Sequence, residues 1–141
     1  MIYLIGGPPR CGKTTLARTF AEKNKIPFFS IDHISSMISP YIPENQQENS
    51  FPLRTARRNA NNSNDLFHER YTHEEIVNFY FTQAATIWPG IKNFIEYGIR
   101  DHHDFILEGW QIFPEFLKEI NKAYTDRSLK ILFLYVKNLV F

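Results

Sequence analysis

The sequence holds one cysteine in 141 residues, so no internal disulfide staples the fold and a reducing compartment is expected. It has no long hydrophobic run, and nothing approaches the roughly 20 apolar residues that a spanning helix needs. It also has no excess of either charge. Sixteen Lys+Arg stand against 15 Asp+Glu, a formal net charge of +1, which removes the long-range field that would make nucleic acid or an anionic membrane the main partner. The start MIYLIGG lacks a basic region, and its apolar stretch is too short for a secretory signal, so a cytoplasmic location is expected. What is present is ordinary for a folded soluble domain: 43% hydrophobic and 22% charged residues, which excludes wholesale disorder. The length is that of one domain, read as 1–141, able to bury roughly two-thirds of its unfolded surface.

The N-terminus reads strand, glycine turn, helix. Ile2, Tyr3, Leu4 and Ile5 are a continuous β-prone run, as in a strand covered on both faces. Gly6 and Gly7 stop it, and Leu16, Ala17, Phe20 and Ala21 then recur at helical spacing until Lys23-Asn24-Lys25. A second apolar run over 26–31 ends at Asp32, completing a β-α-β unit with a parallel pair. Residues 40–70 change character: Pro40, Pro43 and Pro52 punctuate a polar stretch and NANNSND offers almost nothing to bury, so this is read as a mobile, partly helical excursion. Thr72 and Glu75 form a capping-box pattern before an apolar face of Ile76, Phe79, Tyr80, Ala84, Ile87 and Trp88. Pro89 either kinks that helix or starts a new one, which ends at a glycine stop at Gly98. Phe105-Ile106-Leu107 predicts a third strand ending at Glu108-Gly109, Pro114 opens a helix with Phe116, Leu117 and Ile120 inward, and Leu129 to Val136 reads as a buried strand. Alternating strands and helices mean an α/β protein with a mainly parallel sheet.

Gly7-Pro8-Pro9-Arg10-Cys11-Gly12-Lys13-Thr14 fits G-x-x-x-x-G-K-[ST] at every fixed position, with a β run before it and an amphipathic helix after it. Glycines let backbone amides approach phosphate oxygens, and the following helix adds its own unpaired amides and positive end. Lys13 is placed to span β- and γ-phosphates, the Thr14 hydroxyl to ligate Mg²⁺, and residues 7–15 through Thr15 to cradle ATP. An ordinary glycine turn at a strand–helix junction is the competing reading. The Cys11 thiol is open to acidification by the helix end and by Arg10 or Lys13, or else is a loop side chain whose backbone alone matters.

In open α/β sheets ligands lie beyond the carboxyl ends of the strands, where the phosphate loop, Asp32 and Glu108 all fall. Glu108 stands where a Walker-B-type acid holds Mg²⁺; the alternative is a solvated strand-end charge. Asp32 is a candidate base or hydroxyl acceptor for substrate, or the cap of a short helix containing Ile34, Met37 and Ile38. Arg54, Arg57 and Arg58 are candidates to clamp an anionic acceptor, or form a solvated basic helix face. His68, His73, His102 and His103 lack metal-ligand spacing and read as loop histidines. Trp88 and Trp110 read as core.

With these features placed, the chain resembles a P-loop kinase of the adenylate-kinase-like group. The segment IYLIGGPPRCGKTTLARTF is similar to the opening of many small-molecule kinases of that group, PFFSIDHI resembles their second strand, and FILEGWQIFPEF is similar to their third, with Glu-Gly where nucleotide kinases often show Asp-Gly. GGPPRCGKTTLA together with the ILEG strand looks most like bacterial 2-phosphoglycerate-kinase-like or zeta-toxin-like kinases. The resemblance implies a three-layer α/β/α P-loop NTPase fold with strand order 2-3-1-4-5. It also implies γ-phosphoryl transfer from ATP to a small hydroxylated or phosphorylated acceptor, with Asp32 facing that acceptor. In the family an arginine-bearing lid and a fifth strand follow strand four, for which Lys137 to Phe141 leave no room. Four of the five core strands are therefore expected, with a sheet edge open to self-association. The alternative function is a nucleotide-binding module, or a truncated kinase, without turnover of its own.

Overall fold

Side chains of the first strand, β1 (Ile2–Gly6), alternate between two apolar layers, and that alternation sets the architecture. The structure is a computed structural model that describes residues 1–124 and 128–136; residues 137–141, read from the sequence as the closing segment, lie outside the described residues. In chain order β1 is followed by α1 (Lys13–Asn24), β2 (Phe28–Ser30), α2 (Ile31–Ile38), α3 (Gln47–Ser50), α4 (Pro52–Asn59), α5 (Asn64–Arg70), α6 (His73–Arg100), β3 (Phe105–Glu108), α7 (Pro114–Ala123) and β4 (Leu129–Phe133). The four strands form one sheet in the order β2-β3-β1-β4, every pair parallel. This is an α/β P-loop NTPase fold, and the order agrees with the first four positions the resemblance implies.

Ile2, Leu4, Phe105 and Leu107 face one layer, packed against Ile87, Trp88, Ile91 and Ile95 of α6 and Leu117 and Ile120 of α7. Ile5 and Ile106 face the other, against Ala17 and Ala21 of α1. Each such Ile, Leu or Phe side chain taken fully from water contributes about 1.5–3 kcal/mol. Register places Ile5 opposite Glu108 and Ser30 opposite Glu108, so the ends of β1, β2 and β3 fall on one line at the carboxyl edge of the sheet.

Several sequence expectations are corrected here. The second strand is only Phe28–Ser30, because α2 starts at Ile31 and takes Asp32 into its first turn. The last strand ends at Phe133 and is not buried: Leu129 and Ile131 are half-buried while Lys130 and Leu132 face solvent, since among the described residues β4 has a neighbour on one side alone. Of the two readings of Pro89, the start of a new helix is excluded. The helix runs through it for 28 residues, opened by the expected Thr72–Glu75 capping box. Gly98 is no stop either, being buried inside α6 where its missing side chain admits Phe105. Finally, the polar stretch before α6 does bury something. Leu53, Ala56, Ala60 and Phe67 form a small core of their own, with Tyr71, Ile76, Phe79, Tyr80 and Trp110 packed against it. Among the described residues no helix is long and apolar enough to cross a membrane.

Candidate functional site

The loop after β1 curls over the start of α1. Gly12, the residue before the helix, has φ 89° and Gly7 has φ 137°, both in the region that excludes most side chains. A Cβ on Gly7 would also stand 3.1 Å from Cys11 Sγ and collide with the Leu134 carbonyl. Helix α1 has no side-chain cap and no acidic residue in its first turn, so its first amides and positive end stay open to an anion. Lys13 is 6% exposed. Its ammonium donates to the Pro8 carbonyl at 2.6 Å and lies 3.7 Å from Cys11 Sγ. It makes no ion pair with a carboxylate among the described residues. A buried cation held by neutral groups is what a phosphate-binding loop needs, because the bound anion completes its pairing.

Glu108 is buried, 4% exposed, and the Thr14 hydroxyl donates to its Oε1 at 3.3 Å. One hydroxyl and one carboxylate oxygen are hard donors of the kind Mg²⁺ takes alongside water and phosphate oxygens. Thr14 and Glu108 would hold the ion, and no cluster of three or more His, Cys, Asp or Glu among the described residues could hold one unaided.

Asp32 is exposed, and Ser30 rather than Asp32 occupies the cap position of α2. Its Oδ1 accepts from Gln111 Nε2 at 2.7 Å. Gln111 was not anticipated. It is 1% exposed, and its Oε1 has no partner among the described residues. Gly109 makes room for it: a Cβ there would stand 2.8 Å from Ile31 Cβ and collide with Gln111 Oε1. The only sequence signal was a lone polar residue between Trp110 and Ile112.

The three arginines do not converge. Arg54 donates to Ser39 Oγ at 2.5 Å and its guanidinium lies 4.6 Å from the Phe51 ring centre. Arg58 is exposed. Arg57 alone reaches a large cleft beside the phosphate loop, with a volume of about 830 Å³. Pro8, Pro9, Phe67, Tyr80, Trp110 and Phe113 are among its lining residues. His68 and His73, read from the sequence as ordinary loop histidines, line the same cleft, as does Trp110, read as core. Trp110 packs edge-on against Tyr80 at 4.8 Å, whereas Trp88 is a true core residue stacked on Phe116. Asp32, Arg54 and Arg58 are not among the cleft walls.

Residues 3–68 match the model of the ATPase family associated with various cellular activities (AAA), a stretch running from β1 through the phosphate loop into α5. The matched residues hold the phosphate loop and the first β-α-β unit of the P-loop NTPase fold. Over those residues the similarity is to a family of ATPases, which supports nucleotide binding in general. No curated protein matches the chain.

Proposed function

We propose that the chain is an ATP-dependent phosphotransferase that moves the γ-phosphoryl group to a small hydroxylated or phosphorylated acceptor. The observation that carries this reading is the acceptor-sized cleft whose wall is the phosphate loop itself, at Pro8 and Pro9. A plain hydrolase needs room for water; a transferase needs room for a second molecule beside the phosphates.

In this reading the backbone N–H groups from Gly7 to Thr15, all but those of Pro8 and Pro9, which have none, hold the triphosphate. Lys13 leaves the Pro8 carbonyl to bridge β- and γ-oxygens, and Thr14 and Glu108 hold Mg²⁺. The ion, when bound, neutralises charge building on the phosphate oxygens. The acceptor oxygen bonds to the γ-phosphorus while the bond to the bridging oxygen breaks and ADP leaves. The hydroxyl proton passes to solvent, because Asp32, whose Oδ1 accepts from Gln111, does not line the cleft that would hold the acceptor. Positioning and charge stabilisation supply most of the acceleration in such transfers.

The test is Lys13→Ala, with Lys13→Met as a second variant of closer size. Both are expected to lower ADP formation by at least about 10²-fold, with the far-UV circular dichroism spectrum unchanged. Undiminished turnover would refute the assignment. The family match favours a second reading, hydrolysis without an acceptor. It is distinguished by inorganic phosphate release that equals ADP formation whatever hydroxylated compound is added.

A further inference from the structure

We propose that the acceptor is a compact aromatic acid, a ring that carries one anionic group and the hydroxyl to be phosphorylated. This rests on the phosphotransferase reading and goes further by naming the acceptor's chemistry. The cleft is walled mainly by rings and aliphatic groups, among them Phe67, Ile76, Tyr80, Trp110 and Phe113. Its ionisable groups other than Tyr80 are Arg57, His68 and His73, with no carboxylate among the lining residues.

Arg57 sets the sign. Its guanidinium lies 4.1 Å from the Phe67 ring centre, donates to Asn64 Oδ1 at 2.6 Å, and places Nη2 at 3.4 Å from the Tyr80 hydroxyl. Those neutral partners take two of its five N–H donors and leave its charge unmatched by any carboxylate among the described residues. A planar fork with donors to spare suits a carboxylate. The edge-on Trp110–Tyr80 pair offers an aromatic corner for a ring. A polyhydroxylated acid would leave several hydroxyls unpaired against these walls, which costs affinity, and an aromatic amine would meet Arg57 with like charge.

Calorimetry on the full chain, with and without ATP·Mg²⁺, tests this with three probes: 4-hydroxyphenylacetate, tyramine and gluconate. Saturable binding of 4-hydroxyphenylacetate is expected, at least tenfold tighter than either other probe and reduced at least tenfold by Arg57→Gln. Arg57 also braces α4 and α5, so Val77 supplies a second handle. It lines the cleft at a position 50% exposed, where a charge is tolerated by the fold. Val77→Glu should weaken the aromatic acid and Val77→Lys should tighten it. Equal binding of gluconate or tyramine, no binding of 4-hydroxyphenylacetate, or indifference to both Val77 variants would overturn the proposal. Competition between ATP and the aromatic acid would also overturn it, by assigning the cleft to the adenine base. Loss of ATP·Mg²⁺ binding by the unmodified chain would instead refute the phosphotransferase reading, so the two failures read differently.

Discussion

Replacing Gly98 with alanine sets two effects of known size against each other. In an exposed helix interior the change gains about 0.8–1 kcal/mol of helix propensity. In α6, however, the new Cβ would stand 2.9 Å from Phe105 Cζ and 3.0 Å from Ile2 Cδ1, and closer still to Phe105 Cε1. Neither neighbour can retreat. Phe105 is 4% exposed and wedged between Phe94 at 5.0 Å and Phe29 at 5.8 Å, and Ile2 is 1% exposed. Overpacking of this kind costs about 1–3 kcal/mol. The difference leaves a net loss of about 1 kcal/mol, which for a domain of this size lowers Tm by roughly 4 °C. Gly90 in the same helix is the control. It is exposed, and its added Cβ would meet only the end of Ile38 at 3.3 Å, so Gly90→Ala should stabilise. Urea unfolding followed by tryptophan emission measures both, with the slope of the transition unchanged. A midpoint for Gly98→Ala equal to or above wild type would refute the packing argument and return Gly98 to the role of a helix stop.

Two further outcomes follow from hydrogen bonding. Gln111→Leu removes a buried carbonyl with no partner, a liability of about 1–3 kcal/mol, while exposed Asp32 recovers water in place of its lost donor. The urea midpoint should hold or rise, and a stability loss above about 2 kcal/mol would contradict this. Thr72→Ala should cost about 1 kcal/mol at neutral pH, because the cap of α6 is lost. The Thr72 backbone N–H and then its hydroxyl hold the Glu75 carboxyl below its ordinary range. That contribution is complete above the ordinary glutamate range and disappears as pH falls through the lowered value. The gap between variant and wild type should therefore narrow in acid, and a gap that widens on acidification would be inconsistent with the capping box.

Much of the frame was legible in the sequence because its signals are local. A continuous apolar run, a fixed-spacing loop and a periodic helix are enough to place β1, the phosphate loop and α1. Glu108 was legible for the same reason, standing at the end of a short apolar strand. What stayed hidden depends on partners remote in the chain. Leu129–Phe133 is as apolar as an interior strand, but its burial is decided by how many neighbours the sheet supplies, and among the described residues β4 has one. Gly98 looks like a terminator until Phe105 is brought against it. Arg54, Arg57 and Arg58 look like one cluster, yet helical rotation sends the first to Ser39 and the second to Tyr80. Gln111 is 79 residues from Asp32, a distance across which no spacing rule speaks.

Helix α6, at 28 residues, is a rod about 42 Å long. Its first half carries His73, Ile76, Val77 and Tyr80 into the cleft wall, and its second half clamps Ile91 and Ile95 onto the sheet. Pro89 falls between them and deletes the rung that would tie residue 89 to the Ala85 carbonyl. The shaft thus lacks one backbone hydrogen bond at the join between the arm that lines the cleft and the arm that packs on the sheet.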